Sequence, residues 1–231
     1  MTTELAMVEH RSRAATAVPF NSPKHWMRRL FPTTRRALLE RALRGLDLSD
    51  RRSILIVGAG HDPYRDLFPG AKDYTCLDIE NIPGVTDVVA DATEMPFDDG
   101  RFDCVVATEC MEHVSNPFKF IEQIDRVLQT GGMAVITVPF LFHQHGDPYD
   151  FWRPTRECLA GLFGSYSKVE IQSLGNRLHV ISDLITTAFA PRRLLFPLRI
   201  VNHLLIRLPG SIRTGNRVTT APTGFMVVAI K

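Results

Sequence analysis

From Ser53 onward the chain alternates short, β-branched apolar runs with loop or helical stretches, a pattern that restricts it to a parallel sheet covered by helices. Strands are expected at Ser53 to Val57, Tyr74 to Leu77, Asp87 to Ala90, Phe102 to Ala107 and Met133 to Val138. The runs ILIV and CVVA are nearly continuous in apolar character, as in parallel strands buried on both faces. Between the fourth and fifth strands, Phe118, Ile121, Ile124, Val127 and Leu128 recur at helical spacing. A crossover helix over Pro117 to Gln129 follows, with Gly131-Gly132 expected to end it. Further along, a helix is expected at Thr155 to Phe163, a sixth strand at Lys168 to Leu174 and a last strand at Phe225 to Ile230. Leu178 to Leu208 reads as two helices broken near Pro191. Before the sheet, Thr33 or Thr34 can cap a helix from Arg35 to Arg44 that Gly45 stops.

A chain of 231 residues with 45% apolar content is long enough to bury one large core. Its four cysteines, at 76, 104, 110 and 158, contain no CxxC pair and suit neither a disulfide scaffold nor a zinc ribbon, so a reducing, cytoplasmic compartment is expected. The first fifteen residues carry charges around Leu5 to Val8 and do not read as a secretory signal. No run approaches the roughly 20 apolar residues of a membrane span. The net charge of +2 conceals an asymmetry: residues 1–52 carry 11 Lys/Arg against 5 Asp/Glu, 53–150 carry 5 against 17, and 151–231 carry 11 against 3. An acidic centre argues against nucleic acid as a partner, because phosphates need a continuous positive surface.

The first strand runs into Gly58-Ala59-Gly60, where the chain turns tightly and a ligand can approach the backbone. A dinucleotide fingerprint would need a third glycine at 63, which is Pro63. Asp78, 18 positions after Gly60, ends the second strand where a carboxylate can accept both hydroxyls of a ribose, and Asp91 with the small Ala92 follows the third. Together these residues suggest a nucleotide-like ligand at the carboxyl end of the sheet.

In these segments the chain resembles the class I S-adenosylmethionine-dependent methyltransferases, of the type-11-like kind. ILIVGAG resembles their glycine-rich first motif, CLDIE the ribose-binding acid, VADATEMPF the adenine-side motif, FDCVVATECMEHV the fourth strand and LQTGGMAVITVP the fifth. The resemblance covers roughly residues 53–140 and departs from the family at Ile56, where an acid is common, and at Asp62 and Pro63. It implies an α/β fold: a Rossmann-like, doubly wound, mostly parallel seven-stranded sheet with helices on both faces and the last strand antiparallel. It also implies S-adenosyl-L-methionine as cofactor, with Gly58 and Gly60 at its backbone, Asp78 at the ribose, Asp91 and Ala92 at the adenine, and Thr108 or Glu109 at the rim. Residues 1–52 then form an amino-terminal arm and helix, and 53–231 the methyltransferase domain.

The loop after the fifth strand, PFLFHQHGDPYDFWRP, is dense in groups that handle a polyol. His145, with His143 second, is the expected general base for a hydroxyl acceptor. Tyr149 and Trp152 offer an aromatic face to a sugar, and Asp147, Asp150 and Arg153 offer hydrogen bonds to it. The alternative is a rigid structural turn. The block His-Gly-x-Pro-x-Asp-x-Trp-Arg is similar to a subgroup of these methyltransferases from bacterial polysaccharide and glycolipid pathways, including mannoside O-methylation. A cation such as magnesium could be held by Glu109 with Asp147 or a loop histidine. His113 is expected to be structural or cofactor-adjacent. The 178–210 segment reads as a helical insertion serving as a lid or a homodimer face, with contact to an anionic membrane surface as the other reading. The leading expectation is O-methylation of a sugar or glycoside. A lipid or quinone-like acceptor, or a silent cofactor-binding module, are the alternatives.

Overall fold

The computed structural model describes residues 34–60, 64–145, 149–188 and 221–231. In chain order these form α1 (Thr34–Arg44), β1 (Ser53–Val57), β2 (Asp73–Asp78), β3 (Val88–Val89), β4 (Phe102–Thr108), α2 (Pro117–Val127), β5 (Leu128–Pro139), α3 (Arg156–Leu162), β6 (Lys168–Leu174), α4 (Arg177–Ala188) and β7 (Gly224–Ile230). Single 3-10 turns lie at Arg65–Leu67 and Met111–His113.

The seven strands form one sheet in the order β3-β2-β1-β4-β5-β7-β6. Neighbours from β3 to β5 pair in parallel, and β7 runs antiparallel between β5 and β6. The expected mixed α/β sheet with an antiparallel last strand is therefore present. The apolar runs explain its centre by their period of two. Leu55 and Val57 of β1 and Val105 and Ala107 of β4 enter the core beneath Phe120, Ile124 and Leu159 of α2 and α3. Ile54, Ile56, Cys104 and Val106 face the opposite way, beneath Leu39, Ala42 and Leu43 of α1.

Two local differences from the sequence reading have clear causes. The crossover helix ends at Val127, two residues before Gln129, because Leu128 adopts extended dihedrals (φ −82°, ψ 130°) and pairs with Phe102. Leu128 is wholly buried, so burying it takes the chain straight from helix into strand. The Gly131-Gly132 pair instead lies within β5, where Gly131 donates to the carbonyl of Lys231 and Gly132 accepts from the Lys231 amide. Second, the segments joining β1 to β2, β2 to β3 and β3 to β4 contain no α-helix among the described residues. The cover over that side of β1 and β4 comes from α1, with Tyr64 and Phe68, so the helix assigned to the amino-terminal arm packs into the domain core.

Helix α4 accounts for the first part of the 178–210 segment; positions 189–210, with the expected break near Pro191, lie outside the described residues, as do residues 1–33. No helix among the described residues is long and apolar enough to cross a membrane. α4 packs near α1, and the hydroxyls of Thr34 and Ser182 lie 3.3 Å apart. Beside them Asp183 is 2% exposed, and burial pushes its carboxyl up to about 6 against the opposing pull of the Thr34 hydroxyl and Arg35.

A raised carboxyl pKa favours the protonated folded state, so this contribution to stability is complete below about pH 4 and is lost as pH rises through about 6. Asp183→Asn is accordingly expected to raise stability at pH 7 by roughly 1–3 kcal/mol and to leave it nearly unchanged at pH 4. Urea unfolding at the two pH values checks this.

Candidate functional site

The strand order reverses between β1 and β4, which opens a crevice at their carboxyl ends. Gly58 follows β1 with φ +68°, and its amide donates to the Leu77 carbonyl at 2.9 Å. A Cβ there would sit 2.7 Å from the Cys110 sulfur, so this glycine is required by packing. At Gly60 (φ +51°) a Cβ would meet no described residue within 4 Å, so among the described residues the backbone of this turn is uncovered. The Gly60 amide donates to Oδ2 of Asp78 at 2.9 Å, and Oδ1 accepts from the Glu80 amide at 3.0 Å. The glycine turn and the strand-end acid expected to share a ligand are thus brought together. Asp91, exposed beyond β3, accepts from the amide and hydroxyl of Thr93, both at 2.8 Å, and Ala92 is half-buried beside it.

At the end of β4, Thr108 is half-buried and Glu109 takes φ +51°, the only positive φ of a non-glycine residue among those described. Such strain is held by surrounding bonds. The Glu109 amide donates to the carbonyl and hydroxyl oxygens of Thr137, both at 3.1 Å, and its carboxylate receives the Arg35 guanidinium and the Thr137 hydroxyl. Arg35, 4% exposed, reaches Glu109 past Gly224, where any Cβ would lie 2.2 Å from its Nη1. Glu109, expected at the rim or as one holder of a magnesium ion, is thus engaged by Arg35 and Thr137.

Glu112 lies on the turn after β4, fully buried, with neither carboxylate oxygen hydrogen-bonded. Its Oε1 is 3.8 Å from Nε2 of His113 and 3.6 Å from Nε2 of His145. Burial, reinforced by the charge of Glu109, pushes its carboxyl up to about 8. The loop after β5 folds back onto this turn: the Phe151 amide donates to the Glu112 carbonyl at 2.7 Å, and Trp152 Nε1 donates to the Val114 carbonyl at 2.8 Å. His145 is seated by Asp150, which accepts its amide at 2.8 Å and lies 3.5 Å from its Nδ1. Burial lowers the pKa of His145 more than Asp150 raises it, so the ring is neutral at pH 7. The Arg153 guanidinium forks onto Asp150 and holds its carboxyl down at about 2.

His145 thus stands inside a cluster, as a base needs. His143 lies beside it, ring centroids 6.0 Å apart. Asp150 and Arg153, expected to bind substrate, are instead engaged with each other: the 2%-exposed carboxylate and its guanidinium lock the loop and orient His145. Tyr149 stacks on Phe151 with ring centroids 5.4 Å apart; both, and Trp152, are exposed. Asp147 lies outside the described residues. Sequence reasoning passed over Glu112 and Arg35. The available signal was a pair of glutamates three positions apart beside a histidine, immediately after an apolar strand.

Comparison with known proteins places this geometry. Residues 57–136 match the family described as "Methyltransferase domain", a little over a third of the chain. Ajmaline N-methyltransferase of Rauvolfia serpentina is 41% identical over 99 residues, 42% of this chain and 33% of that protein. The ubiquinone/menaquinone biosynthesis C-methyltransferase of Vibrio cholerae is 31% identical over 80 residues, 35% of this chain and 26% of that protein. The chain therefore spans a third or less of the length of these curated relatives. A SAM-dependent methyltransferase structure from Thermotoga maritima superposes with a TM-score of 0.59 at 15% identity, covering 92% of this chain and 97% of that one. The central segment thus matches a methyltransferase domain in sequence, and the fold as a whole is similar to that of the Thermotoga maritima structure.

The buried pair between α1 and β4 yields a direct test. Glu109→Ala is expected to cost about 3 kcal/mol of stability by leaving the buried Arg35 charge without its carboxylate partner. Arg35→Met combined with Glu109→Gln recovers most of the loss in a double-mutant cycle read by thermal unfolding.

Proposed function

We propose that this chain transfers a methyl group from S-adenosyl-L-methionine to a hydroxyl of a sugar or glycoside, a mannoside among the candidates. One observation supports the reading: the turn after β1 and the loop after β5 both lie at the carboxyl edge of the sheet. On one side lies the open glycine turn bonded to Asp78, and on the other the neutral imidazole of His145 in its Asp150–Arg153 seat.

In this reading Gly60 gives the cofactor access to the backbone, Asp78 exchanges its amide partners for the ribose hydroxyls, and Asp91 with Ala92 borders the adenine. Thr108 lines the rim. The methyl group leaves a sulfonium in one displacement, so the chain mainly aligns the acceptor oxygen and excludes water. The oxygen gives up its proton as the C–O bond forms, and His145 is the proposed acceptor of that proton, with His143 the second candidate. The exposed Tyr149, Phe151 and Trp152 rings offer a face to the C–H surface of a pyranose.

A second reading, a lipid or quinone-like acceptor, is favoured by the named role of the Vibrio cholerae relative in ubiquinone and menaquinone biosynthesis. A panel of mannosides, other glycosides and prenylated quinones, assayed with methyl-labelled cofactor, separates the two. Micromolar cofactor binding with transfer to no member of the panel would instead favour a silent cofactor-binding module.

Asp78→Ala is expected to weaken cofactor binding at least about tenfold by calorimetry, because the ribose loses its acceptor. His145→Ala is expected to lower kcat about 10²- to 10⁴-fold with cofactor affinity unchanged. Loss of cofactor binding in the His145 variant would refute the division of roles.

A further inference from the structure

We propose that Glu112, His113 and His145 hold one divalent transition-metal ion, of the zinc or cobalt kind rather than magnesium, on the acceptor side of the carboxyl edge. One ligand atom from each of the three residues lies within 4.8 Å of the other two. In a tetrahedral site with bonds of about 2.1 Å, ligand atoms stand about 3.4 Å apart. The 3.6 and 3.8 Å separations of Glu112 Oε1 from the two Nε2 atoms therefore require only a small contraction.

Three features distinguish this cluster from an ordinary group of polar side chains. First, Glu112 is 0% exposed and both its oxygens lack hydrogen bonds, although the side chain points between two imidazoles. A buried carboxylate normally pairs with a charge or coordinates a metal. Second, the far side of the His113 ring is occupied by an oxygen that can only accept. Nδ1 of His113 lies 2.6 Å from the Tyr149 carbonyl, which places its proton on Nδ1 and a lone pair on Nε2, facing Glu112. Nδ1 of His145 lies 3.5 Å from both an Asp150 carboxylate oxygen and the Arg153 guanidinium, which together seat the ring with Nε2 toward Glu112. Acceptors behind ligating imidazoles are the usual supporting shell of a metal site. Third, the histidines are 33% and 28% exposed while the glutamate is closed off, so an ion would have protein on one side and an open coordination position on the other.

The donor set selects the ion. Two imidazoles and one carboxylate suit zinc, cobalt or ferrous iron, whereas magnesium prefers oxygens and retained waters. The one carboxylate placed to add an oxygen from the same turn, Glu109, is taken by Arg35. A bound ion would compensate the Glu112 charge. It would also engage Nε2 of His145, so that the cation would stabilise the negative charge developing on the acceptor oxygen and the hydroxyl proton would pass to His143, the second candidate base. This last consequence rests on the hydroxyl-methylation reading; binding of the ion does not.

The test titrates cobalt(II) into chelator-treated full-length protein in the absence of cofactor and acceptor, following visible d–d absorption and the melting temperature. One equivalent is expected to bind with a low-coordinate spectrum, to raise the melting temperature and to be displaced by zinc but not by a comparable excess of magnesium. Glu112→Gln, which keeps the shape but removes the ligating carboxylate, is expected to weaken cobalt binding at least about tenfold, as is His113→Ala. Wild-type affinity in both variants, no binding to the wild type, or displacement by magnesium as readily as by zinc would overturn the proposal. Cofactor binding is measured separately on the same protein, so failure of the methyltransferase reading and failure of the metal site are distinguishable.

Discussion

The constraint on which the rest of the structure depends is that β1 and β4 lie at the centre of a parallel sheet with both faces dry. Ile54 to Val57 and Cys104 to Ala107 are at most 5% exposed, and consecutive residues feed opposite cores. Strands buried this way carry no polar side chain along their length, so charge and hydrogen-bonding capacity are displaced to their ends. Glycine turn, strained glutamate and paired acids accordingly all gather at one edge, where the strand order reverses.

That edge is expensive to build. Arg35 and Glu109 meet largely away from water, and the pair is kept by three elements at once: α1 supplies the guanidinium, β4 the carboxylate and β7 the glycine that lets one reach the other. Glu112, on the turn after β4, has no such guanidinium bonded to it. A group whose charged form is disfavoured by burial, in contact with two imidazoles and held by no hydrogen bond, adds nothing to fold stability as it stands. The loop after β5 is tied to the same turn through Phe151 and Trp152, and the Asp150–Arg153 fork stiffens it. The acceptor side is thereby as preorganised as the cofactor side.

Much of the fold was legible because it follows from local pattern. Strands β1 and β6 run over the residues that alternation predicts, and β7 differs by one residue at its start. The helix end at Val127 was not legible, since glycine chemistry at 131–132 competes there with burial of Leu128 against Phe102, a contact no local window contains. The packing of α1 over β1 and β4 was equally invisible, because a helix set before the sheet in sequence carries no mark of which face it will cover.

For the site, the glycine turn and Asp78 could be named from their spacing because both end adjacent parallel strands, whose carboxyl ends necessarily meet. The sequence determined the sheet, its dry centre and the edge at which chemistry has to lie. Only the tertiary structure decided which polar residues are free to act. Asp150, Arg153 and Glu109 look like ligand-binding groups in the chain but are consumed by one another or by Arg35. Glu112 is instead, among the described residues, a fully buried acid with neither oxygen hydrogen-bonded, set against two imidazoles. The reason is physical: a side chain's availability is set by which opposite charge reaches it first, and the partners come from segments 3 to 74 residues away.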